Sequence, residues 1–372
     1  MQFPIKVTET KTSTIFSGES AWVSLNDLIV KMQEKSQKTF ILVDDCTERF
    51  CLPVFLSKLP GLQHPEILRI SPGETSKTTE AAFLLWNKLS SGEAERDSIL
   101  INLGGGVVSD LGGFVASTYK RGIPFINVPT TLMAMADAAI GGKTAINLQS
   151  IKNIVGSFYL PVATFIFPRF LKTLDNSNLL SGFAEIFKIA LVADLSLCEY
   201  LNSLTFNQLL ATSFDEKVWE ELIARSISIK CKLVEMDFFD KKERAILNFG
   251  HTFGHAFEAL SYQECHKPIS HGWAVSMGIL CESYLSVRYC GLTENDFAQI
   301  SRLFLSTFGY YPLSDKDIPE ILRYMNQDKK MSPGGLKFTL LKSPGKAVIN
   351  QLCDKSSILD SLEFYRQINA KH

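Results

Sequence analysis

The first half of the chain alternates β-rich apolar segments with helical patterns. Between about residues 38 and 170 the strand-like segments are TFILVDD, EILRIS, SILINLGGG, PFINVPTT and ATFIFP. This alternation predicts a parallel sheet with helices packed on its faces. Beyond about residue 175 apolar residues recur with helical period, as in LLSGFAEIFKIALVADLSLCEYL, so the second half is predicted to be mainly helical. A last pair, LKFTLLKS and KAVINQL, flanks Pro344-Gly345 and predicts a hairpin.

The change of pattern predicts two domains. Its position suggests a boundary near residues 168–178, and 372 residues are enough for two buried cores. We therefore place an α/β domain at residues 1–170 and a mainly α-helical domain at residues 171–372. A cleft between two such domains is the expected place for a ligand.

Composition limits the kinds of partner. The net charge is −1 and there is no basic run, which argues against nucleic acid. The N-terminal segment MQFPIKVTETKT lacks the pattern of a signal sequence, and no apolar run is long enough to cross a bilayer. A soluble, cytoplasmic protein with no membrane partner is predicted. Eight cysteines without a C-x-x-C pair indicate reduced thiols rather than a zinc ribbon or a disulfide framework.

Histidines are concentrated in one short segment. Four of the six lie in NFGHTFGHAFEALSYQECHKPISHG, and His251 and His255 are four residues apart. That spacing puts both imidazoles on one face of a helix, where they could bind a metal or a phosphate. His271 is a third candidate ligand. Because Thr252 stands where an H-E-x-x-H protease has its glutamate, the pattern favours a metal site but argues against peptidase chemistry. Surface histidines without a ligand are the alternative.

A glycine turn points to a phosphate-containing ligand. Gly104 to Gly106 follow the segment SILIN and precede a helical pattern, so backbone N–H groups at a helix N-terminus are exposed. The pattern is not G-x-G-x-x-G, and a structural turn is the alternative. Two more strand ends carry charged side chains, Asp44 with Asp45 and Glu74 with Lys77, for which a helix cap or a solvated loop is the alternative. Together they predict a Rossmann-like nucleotide-binding domain.

Three lysines and one carboxylate complete the candidates that patterns alone suggest. Lys143 follows two glycines, which lets an anion approach the chain. Glu185 and Lys188 share a face of a helix that is apolar nearly all round, so the carboxylate must be paired or bind a metal. A surface ion pair is the alternative. Lys230 lies on an apolar stripe, where snorkelling to water is the alternative.

A longer set of motifs carries a family resemblance. From about residue 40 to 342 the chain contains, in order, GGGVVSDLGGF, TYKRG, VPTTL, ADAAIGGKTAIN, KNIVGSFYLP, AEIFK, LNFGHTFGHA and SHGWAV. This combination resembles the 3-dehydroquinate synthases. The resemblance implies a subunit whose N-terminal α/β domain binds NAD. Its C-terminal, helical metal-binding domain would bind a divalent metal, zinc or cobalt. It also implies a homodimer and a phosphorylated sugar acid as substrate.

The resemblance assigns roles to residues of this chain. NAD would be held by Asp44, Glu74, Lys77, Gly105, Gly106, Asp110, Thr130, Thr131, Lys143, Lys152 and Thr173. The metal would be ligated by Glu185, His251 and His271. The substrate's carboxylate and phosphate would meet Asp137, Lys143, Asn153, Lys188, Lys230, Arg244, Asn248, His255 and one of Lys329 and Lys330. Arg121 would reach the neighbouring subunit's site in a dimer.

The implied reaction is that of a lyase in the shikimate pathway of aromatic amino acid biosynthesis. It converts 3-deoxy-D-arabino-heptulosonate 7-phosphate (DAHP) to 3-dehydroquinate and phosphate. NAD⁺ takes a hydride from the substrate while the metal acts as a Lewis acid, phosphate leaves, the hydride returns, and the ring opens and recloses as a carbocycle.

Rival functions remain open. One is another sugar-phosphate cyclase, of the 2-deoxy-scyllo-inosose or 2-epi-5-epi-valiolone synthase type. A more remote one is a metal-dependent polyol dehydrogenase, which would release NADH. Lys230, Asn248 and the Asp328-Lys329-Lys330 segment favour the dehydroquinate pattern. The chain departs from that pattern at Asp240 and Trp273, where the family commonly has glutamate, and at Pro168-Arg169, where it has an acidic dipeptide.

Overall fold

The computed structural model of the chain contains two compact units. It describes residues 6–9, 14–34, 38–149, 151–204, 215–263, 266–328 and 335–368. One unit comprises residues 1–175 with 216–235, and the other comprises residues 176–215 with 236–372. The segment 216–235 thus groups with the first unit although it follows part of the second in sequence.

The described residues of the first unit contain nine strands. They are β1 Lys6–Glu9, β2 Thr14–Ser17, β3 Thr39–Asp44, β4 Glu66–Ile70, β5 Ile99–Gly104, β6 Phe125–Pro129, β7 Lys143–Leu148, β8 Ile151–Phe158 and β9 Ala163–Ile166. Seven form one sheet in the order β1-β2-β9-β6-β5-β3-β4. Only its β1–β2 pair is antiparallel. The five predicted strand segments are β3, β4, β5, β6 and β9, which confirms the parallel sheet; β1 and β2 were not predicted.

Thirteen α-helices lie in the described residues. In chain order they are α1 Ala21–Gln33, α2 Asp45–Phe50, α3 Leu52–Ser57, α4 Thr79–Ser91, α5 Gly106–Thr118, α6 Asn176–Ala193, α7 Leu195–Ser203, α8 Glu216–Met236, α9 His251–Ser261, α10 His271–Cys290, α11 Glu294–Phe308, α12 Asp317–Asp328 and α13 Lys355–Ile368. None of them is both long enough and apolar enough to cross a lipid bilayer.

The core of the first unit lies between the sheet and its covering helices. Phe40, Leu42 and Leu100 from the strands and Val108 and Leu111 from α5 are at most 1% exposed. Strand β5 is buried along its whole length, as expected for a parallel strand covered on both faces. Each large apolar side chain buried in this way contributes about 1.5–3 kcal/mol. The core therefore fixes where β5 ends and α5 begins.

One segment of the first unit differs from the rest. Between β6 and β9 the chain forms a π-helix, Ala134–Ala138, followed by the antiparallel hairpin β7–β8. No strand was predicted there, although Thr144 and Ile146 of β7 are buried with the alternation of a half-buried strand. Strand β7 packs on α5. The hairpin carries Lys143, Lys152 and Asn153.

The second unit is mainly helical, as predicted. Helix α10 packs against α6, α9, α11 and α13. The predicted C-terminal hairpin is present as β10 Leu336–Ser343 paired antiparallel with β11 Lys346–Cys353. Seven cysteines lie in the described residues of the two units, and all are free thiols, in line with the expected reduced state.

Candidate functional site

Three side chains from three helices converge in the second unit. Glu185 lies in the middle of α6, while His251 and His271 are the first residues of α9 and α10. Glu185 Oε1 is 3.8 Å from His251 Nε2 and 3.4 Å from His271 Nε2. One ligand-capable atom from each residue lies within 4.8 Å of the others. Two donors about 2.1 Å from one zinc ion at a tetrahedral angle are about 3.4 Å apart, so these separations suit a shared ion.

Local structure explains why these residues meet. Helix α9 starts after Gly250, whose φ of 80° is in the left-handed region that favours glycine. Helix α10 starts after Ser270, whose side chain accepts a hydrogen bond from the Trp273 N–H and caps the helix. Helix α6 is buried on nearly all sides, which puts Glu185 at 1% exposure. The apolar surroundings inferred from the sequence for this carboxylate are confirmed.

The other ring nitrogens of the two histidines are also engaged. His251 Nδ1 is 3.1 Å from the carbonyl oxygen of Phe249, and His271 Nδ1 is 3.1 Å from Glu258 Oε2. Because a carbonyl and an ionised carboxylate only accept, both Nδ1 atoms carry the hydrogen and donate. The Nε2 atoms of both rings therefore face Glu185; that of His251 holds a lone pair, and that of His271 would ligate once a metal displaces its proton.

Charges set the protonation of the cluster. Burial, followed by the nearby Lys188 ammonium, lowers the pKa of His251 well below its usual range. Burial also disfavours charge on His271, but the carboxylates of Glu258 and Glu185 outweigh it and raise its pKa to about 10. Burial of Glu185 is outweighed by Lys188 and the histidines, which hold the pKa of that carboxyl well below its usual range. The cluster thus contains one neutral imidazole, one imidazolium and one carboxylate when metal-free.

The donor set fits a divalent metal. Two imidazoles and one carboxylate, with a further coordination position open, are the ligands of many catalytic zinc sites. Among the described residues, neither oxygen of the buried Glu185 has a hydrogen-bond partner of ordinary geometry, although Lys188 Nζ makes a charge contact of 2.6 Å with Oε2. A buried carboxylate in this condition is stabilised by an added cation.

His255 lies beside the cluster but outside it. Its ring centroid is 5.3 Å from that of His251 and 5.9 Å from that of His271. It is not among the three residues whose ligand atoms lie within reach of one ion. The spacing of four residues therefore places two histidines on one helix face, as predicted, but the geometry brings only one into the three-residue cluster.

Further candidate residues of the second unit lie on ordered backbone. Arg244 is 3% exposed and its Nη1 donates to the carbonyl of Phe238. Asp237 accepts backbone N–H groups of Lys241, Lys242 and Arg244, which fixes this turn. Asn248 ends the short 3-10 helix that starts at Glu243. Lys329 and Lys330 lie outside the described residues.

In the first unit Lys77 connects several candidate residues. Its Nζ lies 2.5 Å from Asp110 Oδ2, 2.5 Å from Asn153 Oδ1 and 4.0 Å from Glu74 Oε1. The lysine is 3% exposed. Burial raises the pKa of Asp110, although Lys77 opposes the shift. Asn147 completes the network by donating to Glu74 Oε1. The sequence had suggested Glu74 and Lys77 as a charged pair at one strand end, and the structure brings them together with Asp110.

The glycine turn is also formed. Strand β5 ends at Gly104 and α5 begins at Gly106, with Gly105 as N-cap and no side-chain capping bond. A Cβ on Gly105 would lie 2.9 Å from Thr131 Cγ2, so a larger residue would crowd the turn. The neighbouring Thr130 is 2% exposed. The first N–H groups of α5 are thus not bonded by a capping side chain, as an anion site requires.

A second lysine of the first unit is paired as well. Lys230, on α8, is 5% exposed, and its Nζ lies 2.6 Å from Asp137 Oδ1 and 2.5 Å from the Asp137 carbonyl oxygen. The ammonium therefore meets the end of the π-helix rather than snorkelling to water. Both residues are candidates for substrate contact, and the structure brings them together.

The remaining candidates have simpler surroundings. Asp44 caps α2 through a capping box with Thr47. A helix cap was the alternative to ligand binding that the sequence left open for this residue. Thr173 Oγ1 donates to the carbonyl of Phe170. The side chains of Lys143, Lys152 and Arg121 are exposed.

The sequence reasoning missed two buried carboxylates that support the cluster. Glu258 contacts His271, and Glu282 accepts N–H groups of Gly250 and Thr252 at the start of α9. Their exposed fractions are 4% and 0%. The available signal was the same as for Glu185, since both lie on helices with apolar neighbours on nearly every side.

Solved structures with this architecture define a class of proteins. The chain superposes on a 2-deoxy-scyllo-inosose synthase complexed with carbaglucose-6-phosphate, NAD⁺ and Co²⁺ with a TM-score of 0.85, at 26% identity and over 98% of this chain and 99% of that one. A 2-epi-5-epi-valiolone synthase from Streptomyces hygroscopicus, with NAD⁺ and Zn²⁺ bound, shares the fold with a TM-score of 0.82, at 23% identity and over 98% and 99% of the two chains. The fold is that of the sugar-phosphate cyclases.

Sequence comparisons narrow the class to one family. Family models described as 3-dehydroquinate synthase N-terminal and 3-dehydroquinate synthase C-terminal match residues 67–181 and 182–331. The chain is 40% identical over 358 residues to the 3-dehydroquinate synthase of Parabacteroides distasonis, covering 94% of this chain and 99% of that protein. The chain belongs to the 3-dehydroquinate synthase family, which confirms the resemblance drawn from its motifs.

Proposed function

We propose that the protein is a 3-dehydroquinate synthase, a lyase that converts DAHP to 3-dehydroquinate and phosphate in the shikimate pathway. The observation that carries the proposal is the 40% identity to a protein of that name over 94% of the chain. The related cyclase of known structure that carries a carbaglucose phosphate is only 26% identical. A dehydroquinate synthase is therefore favoured over another cyclase.

We infer that the protein uses NAD and one divalent metal ion, zinc or cobalt. In sequence order, residues 1–170 would bind the nucleotide and residues 171–372 the metal. Glu185, His251 and His271 would hold the metal because their donor atoms converge and suit its preferred ligands. When bound, the metal polarises a substrate hydroxyl and NAD accepts and returns a hydride.

In the first unit the proposed nucleotide contacts include the glycine turn and the Lys77 network. The N-terminus of α5 favours the pyrophosphate, and the strand-end carboxylates suit ribose hydroxyls. These contacts would come from Asp44, Glu74, Lys77, Gly105, Gly106, Asp110, Thr130, Thr131, Lys143, Lys152 and Thr173. The same unit would present Asp137, Lys143, Asn153 and Lys230 to the substrate.

In the second unit the cationic and polar side chains around the metal ligands suit a substrate with carboxylate and phosphate groups. Lys188, Arg244, Asn248 and His255 are the proposed contacts, together with one of Lys329 and Lys330. Lys188 and Arg244 are 1% and 3% exposed, so their charges act where water screens them little. We propose that His255, whose ring lies beside that of the proposed ligand His251, holds or transfers a proton of the leaving phosphate.

We further propose a cytoplasmic homodimer in which Arg121 reaches the partner subunit's site. Arg121 and the preceding Lys120 both have positive φ, 68° and 48°, which gives this segment a sharp bend. The arginine is exposed and so is available to a second copy of the chain.

The assay that tests the proposal measures phosphate release. Protein supplied with NAD and zinc or cobalt should release one phosphate per DAHP consumed and form dehydroquinate, with no net NADH. Net NADH formation would indicate a polyol dehydrogenase. Turnover of glucose 6-phosphate or sedoheptulose 7-phosphate, with none of DAHP, would overturn the assignment in favour of another cyclase.

A pair of histidine variants tests the metal ligands. His271→Ala should abolish metal retention and activity. His266→Ala is the matched control, because His266 lies five residues earlier and contacts Asp317 and Tyr311 rather than the cluster. It should retain the wild-type metal content. A full metal complement in His271→Ala would show that the proposed ligand set is wrong.

A further inference from the structure

Glu258 connects the two helices whose first residues are the proposed histidine ligands. It lies on α9, while the imidazole it contacts belongs to His271 at the start of α10. Its Oε2 is 3.1 Å from His271 Nδ1, and the residue is 4% exposed. The two nitrogens of His271 thus meet two different carboxylates, Nδ1 that of Glu258 and Nε2 that of Glu185.

The surroundings hold Glu258 in place. Ser261 Oγ donates to the Glu258 carbonyl, and the backbone N–H of Ile269 donates to the same Oγ. These bonds join the end of α9 to the segment that leads into α10. The backbone of Glu258 is therefore tied to the segment that leads to His271, while its carboxylate, on a side chain that is 4% exposed, contacts the imidazole.

The two proposed histidine ligands are fixed in different ways. His251 Nδ1 donates to a main-chain carbonyl, a contact that no side-chain substitution removes. His271 Nδ1 donates to a side-chain carboxylate. Such a carboxylate fixes the tautomer and the plane of an imidazole and increases the electron density at the ligating nitrogen. Removing it should loosen one ligand of the metal while leaving the other unchanged.

We propose that Glu258 is a positioning residue, which holds His271 with Nε2 directed at the metal and thereby increases the affinity of the protein for a divalent cation. The inference rests on the proposed metal site of the preceding section. The carboxylate of Glu258 contacts His271 Nδ1, so its proposed effect on the metal passes through that imidazole. A purely structural role would change the stability of the fold without changing the metal's ligand field.

Glu258→Gln tests this role with almost no change of shape. Zinc affinity of the metal-free protein, measured by competition with a chromophoric chelator, should fall about 10–100-fold. Protein loaded with cobalt alone should show a shifted visible absorption spectrum, because the spectrum reports the orientation of the ligating imidazole. Glu258→Asp keeps the charge but withdraws it by one methylene. It should lie between Glu258→Gln and the wild type, and it carries the test if the glutamine variant fails to fold.

Asp317→Asn is the matched control. Asp317 Oδ1 lies 3.0 Å from His266 Nε2, a second buried histidine–carboxylate contact that does not involve a proposed ligand. This variant should keep the wild-type zinc affinity and cobalt spectrum.

The possible results separate the inference from the metal site itself. Wild-type zinc affinity and an unchanged cobalt spectrum in both Glu258 variants would overturn the positioning role while leaving the metal site standing. Equal weakening in Asp317→Asn would also overturn it, since the effect would then be a general one of the fold. If the wild-type chain itself bound no zinc, the metal site would fail, and the inference with it.

Discussion

Gly278→Ala should be unusually destabilising for a substitution that normally favours a helix. A Cβ on Gly278 of α10 would lie 1.9 Å from the carbonyl oxygen of Gly250 and 2.8 Å from the Gly254 nitrogen. Since carbon and oxygen normally approach to about 3.3 Å, α9 and α10 would have to separate by more than about 1 Å. One turn further along α10, Glu282 Oε2 accepts the Gly250 N–H at 2.7 Å. Separation of the helices would lengthen this bond as well.

The magnitude follows from three terms. Overpacking of this kind costs about 1–3 kcal/mol. Weakened hydrogen bonds to the buried Glu282 carboxylate add about 1–3 kcal/mol. The better helix propensity of alanine returns about 1 kcal/mol. The net loss of about 1–5 kcal/mol, at about 2–4 °C per kcal/mol, should lower the melting temperature by roughly 2–20 °C.

Thermal unfolding of the metal-free protein, followed by circular dichroism, measures the effect. Gly254→Ala is the control because it lies on the facing helix α9 and gains the same propensity. Its Cβ would be 3.1 Å from Val275 Cα, which requires a shift of only a few tenths of an ångström. Equal melting temperatures for the two variants would refute the argument, since the only large difference between them is the clash with Gly250.

Buried charges give three further tests. Glu282→Gln should lower the free energy of unfolding in urea by about 2 kcal/mol, because the amide cannot accept bonds at both terminal atoms; a change within about 0.5 kcal/mol would contradict this. Lys77→Met should lower the free energy of unfolding by about 3 kcal/mol, because Asp110 loses the ammonium that pairs with it. The double variant with Asp110→Leu should recover part of that loss. No recovery would count against the pairing. Burial disfavours charge on His271, but the carboxylates of Glu258 and Glu185 raise its pKa from 6.5 to about 10. The folded metal-free protein therefore keeps a proton that the unfolded chain loses. Its free energy of unfolding should therefore fall by up to about 1.4 kcal/mol per unit between about pH 7 and pH 9.5, and a flat profile in a pH series of urea titrations would contradict the shift.

The parallel sheet could be predicted because its strands are covered on both faces. Strand β5 is buried throughout, so its residues are apolar apart from Asn102, and this near-continuous run is visible in the sequence. Strands β1 and β2 have only four residues each, too few for a periodic signal. The hairpin β7–β8 was missed because one of the two buried residues of β7, Thr144, is polar, so the segment KTAINL shows no apolar alternation in the sequence.

The sequence pattern did not predict that α8 groups with the first unit. Its helical period was correctly predicted, but period says only that a helix forms and which face is apolar. The helix groups with the first unit, where Lys230 meets Asp137. Helices that are equally amphipathic are compatible with either core. The contact between Lys230 and Asp137 therefore depends on tertiary packing that spacing along the chain does not contain.

Residue spacing and burial predicted different members of the cluster of Glu185, His251 and His271. Spacing placed His251 and His255 on one helix face, but the direction from which α6 and α10 deliver their own residues decides which of the two joins the cluster. Burial identified Glu185, because a carboxylate on a helix apolar on nearly all sides requires a partner. The same rule applies to Glu258 in HTFGHAFEALS and to Glu282 in GILCESYLSVRYC.

The three buried carboxylates found three different kinds of partner: two imidazoles and a lysine for Glu185, one imidazole for Glu258, and backbone N–H groups for Glu282. Each kind has a different consequence for a substitution. Loss of Glu185 would remove a proposed ligand, loss of Glu258 would free a proposed ligand to reorient, and loss of Glu282 would weaken the start of the helix that carries the third. The sequence therefore predicts that a buried carboxylate needs a partner. Which group is its partner, and so what the carboxylate does, depends on how the helices pack.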